Sequence, residues 1–100
     1  MFDEILRVAK THNVEAIILF GSRAKGNERE ESDIDICVIA DVKSKRRLAA
    51  ELSAEIECEL PIDILVYTPS EWDACVADET SFANKILKEG RILYGQPKIS

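Results

Sequence analysis

Leu19-Phe20-Gly21-Ser22-Arg23-Ala24-Lys25-Gly26 and, shortly after, Ser32-Asp33-Ile34-Asp35-Ile36-Cys37-Val38-Ile39 are the stretches from which this chain is best read. The apolar run Ala16-Ile17-Ile18-Leu19-Phe20 stops abruptly at Gly21-Ser22, and after a polar segment a second apolar run opens with two aspartates one residue apart. In a strand, residues i and i+2 face the same side. Asp33 and Asp35 therefore present two carboxylates on one face, while Ile34 and Ile36 point to the other. Carboxylates this close repel, and burying such a pair raises one pKa strongly. A divalent cation is the usual way to keep both ionised. The Gly21-Ser22 turn offers backbone N–H groups and a hydroxyl to a phosphate. A phosphate cradle beside paired carboxylates implies metal-dependent nucleotide chemistry.

At these residues the chain resembles a known family. Gly21-Ser22, ten residues (23–32), then Asp33-x-Asp35 is similar to the signature of the polymerase-β-like nucleotidyltransferases. The local form, Gly-Ser-Arg-Ala-Lys-Gly with Ser-Asp-Ile-Asp, most resembles the minimal nucleotidyltransferases, short stand-alone versions that often serve as the antitoxin of a HEPN-domain toxin. The resemblance implies that Ser22 binds the triphosphate of a nucleotide, with Gly21 beside it. Arg23 and Lys25 are candidates for phosphate contact, equally consistent with a solvated helix face. Read alone, Ser22 would be an ordinary helix N-cap; the aspartates downstream favour the anion-binding reading.

The bounds agree. One hundred residues make one domain with one modest core, expected over 1–95 with a loose tail at 96–100. A net charge of −6 disfavours non-specific binding to nucleic acid and favours a basic partner. No apolar run reaches transmembrane length, and Asp3 and Glu4 replace a basic secretory leader, which points to the cytoplasm. Cys37, Cys58 and Cys75 are an odd set with no metal-binding spacing and a single histidine, His12, in the chain. All three are read as reduced, with Cys37 in the core.

Along the chain, residues 2–12 predict an amphipathic helix through Phe2, Ile5, Leu6 and Ala9. His12 is a helix-end cation or, less simply, a general base. Residues 15–20 predict a strand buried on both faces, 22–26 a short helix, 28–31 a charged loop, and 32–40 the second strand. A long helix is expected over 44–59, with Leu48, Leu52 and Ile56 facing inward. Lys43, Lys45, Arg46 and Arg47 crowd its start against the helix dipole, a misfit that suggests an acidic partner or the nucleotide, unless the helix end is simply solvated. Pro61 breaks the chain before a third strand, Ile62-Asp63-Ile64-Leu65-Val66-Tyr67. Asp63 is an acid in an apolar strand, costly unless paired or metal-bound; the alternative is an edge-strand acid in solvent. In the family a third carboxylate on the adjacent strand completes the metal site, and the resemblance gives Asp63 that role. Thr68-Pro69-Ser70-Glu71 has the signature of a helix start with a capping box. A further helix over 80–89 would place Phe82, Ala83, Ile86 and Leu87 on one face, with Gly90 as its stop. Arg91 to Tyr94 would add an edge strand. Tyr94 suits core or rim packing better than a base-stacking platform.

The expected fold is α/β, a small mixed sheet with helices mainly on one face and the catalytic groups on the open one. The expected activity is nucleotidyl transfer with Mg²⁺ and ATP. Asp33, Asp35 and Asp63 would serve as metal ligands and catalytic groups, and Gly21, Ser22 and Arg23 as the nucleotide-binding turn. By resemblance, AMP passes to a hydroxyl side chain of a HEPN toxin and neutralises it. The alternative is a nucleotide-binding antitoxin that blocks its partner by stoichiometric binding. A small-molecule acceptor would need a pocket built between two copies of the chain.

Overall fold

The two central strands are apolar at both odd and even positions, so they require cover on both faces. The computed structural model describes residues 3–21, 34–56 and 61–95. In chain order these form α1 (Asp3–Thr11), β1 (Ala16–Phe20), β2 (Ile34–Ile39), α2 (Lys45–Glu55), β3 (Ile62–Tyr67), α3 (Pro69–Val76), α4 (Phe82–Glu89) and β4 (Arg91–Gly95). The sheet order is β3-β2-β1-β4. β1 runs antiparallel to β2 and β4, and β2 runs parallel to β3. A parallel pair needs a crossover rather than a tight turn, and α2 supplies it.

Alternation sorts the strand residues into two cores. Ile17, Leu19, Ile34, Ile36 and Val38 pack with Ile5, Val8 and Ala9 of α1 and Leu48 and Leu52 of α2. Ala16, Ile18, Cys37 and Ile39 pack with Trp72 and Val76 of α3 and Ala83 and Ile86 of α4. The mixed α/β sheet is as the sequence predicts. The helices, however, divide between its faces instead of gathering mainly on one, because two-sided apolar strands leave neither face suited to water. The candidate site consequently lies at one end of a covered face and not across an open one.

The local signals hold at most boundaries. Ser44 caps α2 by accepting from the Arg47 backbone N–H at 3.2 Å. α2 ends at Glu55, short of the expected 59: its C-cap Ile56 turns extended and buries its side chain in the core. Residues 57–60, with Cys58, lie outside the described residues, as do Phe2, the expected helix over 22–26, the loop over 28–31 and the tail over 96–100. Cys37 is fully buried, and burial pushes its thiol up to about 12, which makes it inert packing. Gly90 does stop α4, but in an extended conformation. Its role is spatial: a Cβ there would lie 2.4 Å from the Ile86 carbonyl oxygen and 2.5 Å from Ile18 Cγ2.

α3 opens with the full capping box. The Glu71 N–H donates to the Thr68 hydroxyl at 3.3 Å, and the Thr68 N–H donates to the Glu71 carboxylate at 3.1 Å. Lys45 Nζ adds a 2.7 Å ion pair from α2. The hydrogen bond from Lys45, then those from Thr68, hold the Glu71 carboxyl at about 2 against an ordinary 4.5. A carboxyl depressed by folding stabilises above its unfolded pKa and loses that contribution as pH falls through the folded one. The melting temperature of the wild type is therefore expected to fall between pH 4.5 and about 2. Glu71→Gln, melted in parallel, starts lower at neutral pH and converges with the wild type at the acid end.

Candidate active site

β1 ends at Phe20, and Gly21 turns the chain with φ +79°. That left-handed conformation is strained for any residue with a Cβ. Space adds a second demand. A Cβ on Gly21 would lie 2.4 Å from Asp35 Oδ2 and 3.3 Å from its Cγ. The Asp35 carboxylate thus lies over the glycine, in direct approach to the turn that the sequence marks as a phosphate cradle.

Register brings the second carboxylate to the same row. Phe20 pairs with Asp35 across β1 and β2, and Asp35 pairs with Asp63 across β2 and β3. Paired residues in adjacent strands share a face. Below this row come Ile18, Cys37 and Leu65, then Ala16, Ile39 and Tyr67, the rows that α3 and α4 cover. The acidic row caps that apolar stack at the N-terminal ends of β2 and β3.

Asp35 is half-buried, whereas Asp63 is exposed on the edge strand β3. The expectation that burial makes the Asp63 charge costly is therefore corrected: an edge strand leaves it in water, and its claim to the site rests on register with Asp35. Asp33, Ser22 and Arg23 lie outside the described residues. Among the described residues no group of three His, Cys, Asp or Glu side chains comes together to hold a metal. Asp35 and Asp63 contribute two hard oxygen donors, a chemistry that suits Mg²⁺ shared with substrate phosphates.

Other candidates fall away from this row. His12 pairs with Glu55 and lies 3.6 Å from Glu51, both on α2, so it fastens α1 to α2 beyond the opposite face. Tyr94 pairs with Ile17 and packs into the core of α1 and α2, which removes it as a base platform. The Lys43–Arg47 cluster follows the C-terminal end of β2, and Lys45 is held by Glu71 at the start of α3. That is the far end of the strands from Asp35, so the cluster does not meet a nucleotide at the acidic row.

The sequence pattern also misplaced Phe82 and missed Asn84. Its spacing puts Phe82 on one face of α4 with Ala83, Ile86 and Leu87, yet it is 52% exposed. Asn84 is buried instead, donating to the Val76 carbonyl oxygen at 2.8 Å and tying α4 to α3. The Phe82 ring stands edge-on to Phe20, with centroids 5.6 Å apart and planes at 85°. Beside them lies a cavity of about 180 Å³, lined by Phe20, Gly21, Phe82, Lys85, Ile86 and Glu89.

The chain and its fold have counterparts among known proteins. The polymerase beta nucleotidyltransferase family model matches residues 3–99. The chain belongs to the polymerase-β nucleotidyltransferase family. Within it, "Putative protein adenylyltransferase MJ0604" of Methanocaldococcus jannaschii is 36% identical over 81 residues, which are 81% of this chain and 79% of the relative. A toxin–antitoxin crystallised with AMP-PNP superposes with a TM-score of 0.67 at 20% identity, over 94% of this chain and 73% of its own. A MntA–HpeT toxin–antitoxin variant superposes with a TM-score of 0.66 at 16% identity, over 96% of this chain and 74% of its own. At such identities the superpositions speak for the fold. In this nucleotidyltransferase the Gly21 turn, Asp35 and Asp63 stand together at the strand ends. Among its described residues no helix is long and apolar enough to cross a membrane.

Proposed function

We propose that this nucleotidyltransferase moves AMP from ATP to a hydroxyl side chain of a toxin protein and thereby acts as its antitoxin in the cytoplasm. The observation that carries the reading is the approach of Asp35 to Gly21, with Asp63 in register beside it. The relative named for protein adenylyltransferase activity supports the choice of AMP and a protein acceptor. The toxin–antitoxin neighbours, one of them crystallised with AMP-PNP, support a toxin as that protein. A HEPN-type toxin is the partner that the sequence resemblance implies.

In this reading Gly21 and Ser22 hold the phosphate oxygens, with Arg23 adding a charge-assisted contact. Asp33, Asp35 and Asp63 would hold Mg²⁺, which when bound neutralises charge on the phosphates and lowers the pKa of an acceptor hydroxyl. Asp63, solvent-accessible at the sheet edge, would take the proton of the incoming hydroxyl. The hydroxyl oxygen bonds to the α-phosphorus, the bond from that phosphorus to the bridging oxygen breaks, and pyrophosphate leaves. Fixed donors and carboxylates at the strand ends supply the positioning and electrostatic stabilisation on which phosphoryl chemistry depends.

Intact-mass spectrometry of the purified toxin–antitoxin pair tests this. With Mg²⁺ and ATP, the toxin is expected to gain the mass of AMP and to lose its toxicity. Chelation with EDTA is expected to abolish the gain and excess Mg²⁺ to restore it. A stable complex that silences the toxin with no mass gain under any nucleotide would instead identify stoichiometric inhibition.

A further inference from the structure

We infer that the cavity between Phe20, Gly21 and Phe82 is the purine subsite of the nucleotide, with Phe82 as its stacking wall. The inference rests on the nucleotidyltransfer reading and adds to it which residues select the base. The cavity is continuous with the Gly21 turn, so a nucleotide whose phosphates meet that turn can reach it without leaving the surface. It also lies on the β1 and α4 side of Asp35, whereas Asp63 lies on the β3 side. The acceptor and the nucleoside thus have separate approaches, one on each flank of Asp35.

The lining suits a base. Phe82 is one of two large apolar side chains left half-exposed among the described residues, the other being Ile92 on β4. Edge-on packing against Phe20 fixes its ring while leaving part of it in solvent. A fixed, half-exposed aromatic offers a stacking surface at low entropic cost. Ile86 adds an apolar side chain to the lining, and Lys85 and Glu89 complete it. Both purines present the N7 acceptor, which a lysine can meet and which pyrimidines lack. Two fused rings also stack over more area than one. The ligand chemistry is therefore a purine nucleoside triphosphate.

Calorimetric titration of the full-length protein with ATP, UTP and inorganic tripolyphosphate in Mg²⁺ tests the subsite. The wild type is expected to bind ATP more tightly than UTP. Phe82→Ala should weaken ATP about tenfold, the scale of one lost base-stacking contact, and should bring ATP and UTP level. Phe82→Trp should retain the preference, and tripolyphosphate should bind all three proteins alike. Wild-type preference for ATP that survives Phe82→Ala would overturn the subsite and leave the nucleotidyltransfer reading standing. A wild type that binds neither ATP nor tripolyphosphate would overturn both. Circular dichroism separates either result from misfolding, and the half-exposed ring makes a folded Phe82→Ala the expected finding.

Discussion

Asp35→Asn is expected to lower transfer about a thousandfold, the scale on which removing a main electrostatic group of a transfer site is felt. The substitution keeps the shape of the side chain. The amide can still occupy the space that Gly21 leaves for it, so the sheet and its register should persist. What is lost is charge at the junction of the row: Asp35 touches the turn on one side and pairs with Asp63 on the other. No other described residue links the two. The outcome should appear as a collapse of kcat in a protein that still unfolds cooperatively. In the proposed pair, binding of the toxin should also survive, because the shape of the surface is kept. A variant that binds but does not modify separates an obligatory enzyme from a steric inhibitor.

Gly21→Ala should reach a similar end by geometry instead of charge. The added methyl meets two obstacles together, a φ of +79° and an Asp35 oxygen 2.4 Å away. The backbone strain alone costs about 1–2 kcal/mol. Relief requires Asp35 to rotate off the turn or β1 to shift against β2. Misplacing a reacting group by about 1 Å can cost about a hundredfold in rate, and that loss of transfer is the expected result. Stability should fall by about 1–2 kcal/mol in denaturant titration. Unlike Asp35→Asn, this variant is expected to lose both activity and stability. If Gly21→Ala were as stable as the wild type, the left-handed conformation of the turn would be wrong.

Much of this was legible in the sequence because the deciding signals are local. β3 was bounded by Pro61 and by the Thr68 cap, and it spans Ile62–Tyr67 as the pattern predicts. The capping box of α3 was readable for the same reason: four adjacent residues define it. Alternation placed Asp35 opposite the face of Ile34 and Ile36, and the register agrees. What was not legible depends on tertiary placement. No periodicity reveals that α3 and α4 cross to the second face, since an apolar stripe does not name the surface it will meet. The same gap put Phe82 inside: its spacing matches Ala83 and Ile86, but as the first residue of α4 it sits at the rim of the packed helix. Asp63 illustrates the converse. An acid among isoleucines reads either as a costly charge or as an edge-strand acid in solvent, and the strand order decides for the edge.

The most direct test of the central claim is transfer of label from ATP to the toxin, comparing ATP labelled at the α-phosphorus with ATP labelled at the γ-phosphorus. If the Gly21–Asp35–Asp63 row directs attack at the α-phosphorus, the α label stays on the toxin, the γ label leaves with pyrophosphate, and Asp35→Asn transfers neither. Retention of the γ label would mean phosphorylation. A toxin silenced with no label from either ATP would mean that the site binds nucleotide without turnover, and each result would contradict nucleotidyl transfer at this row.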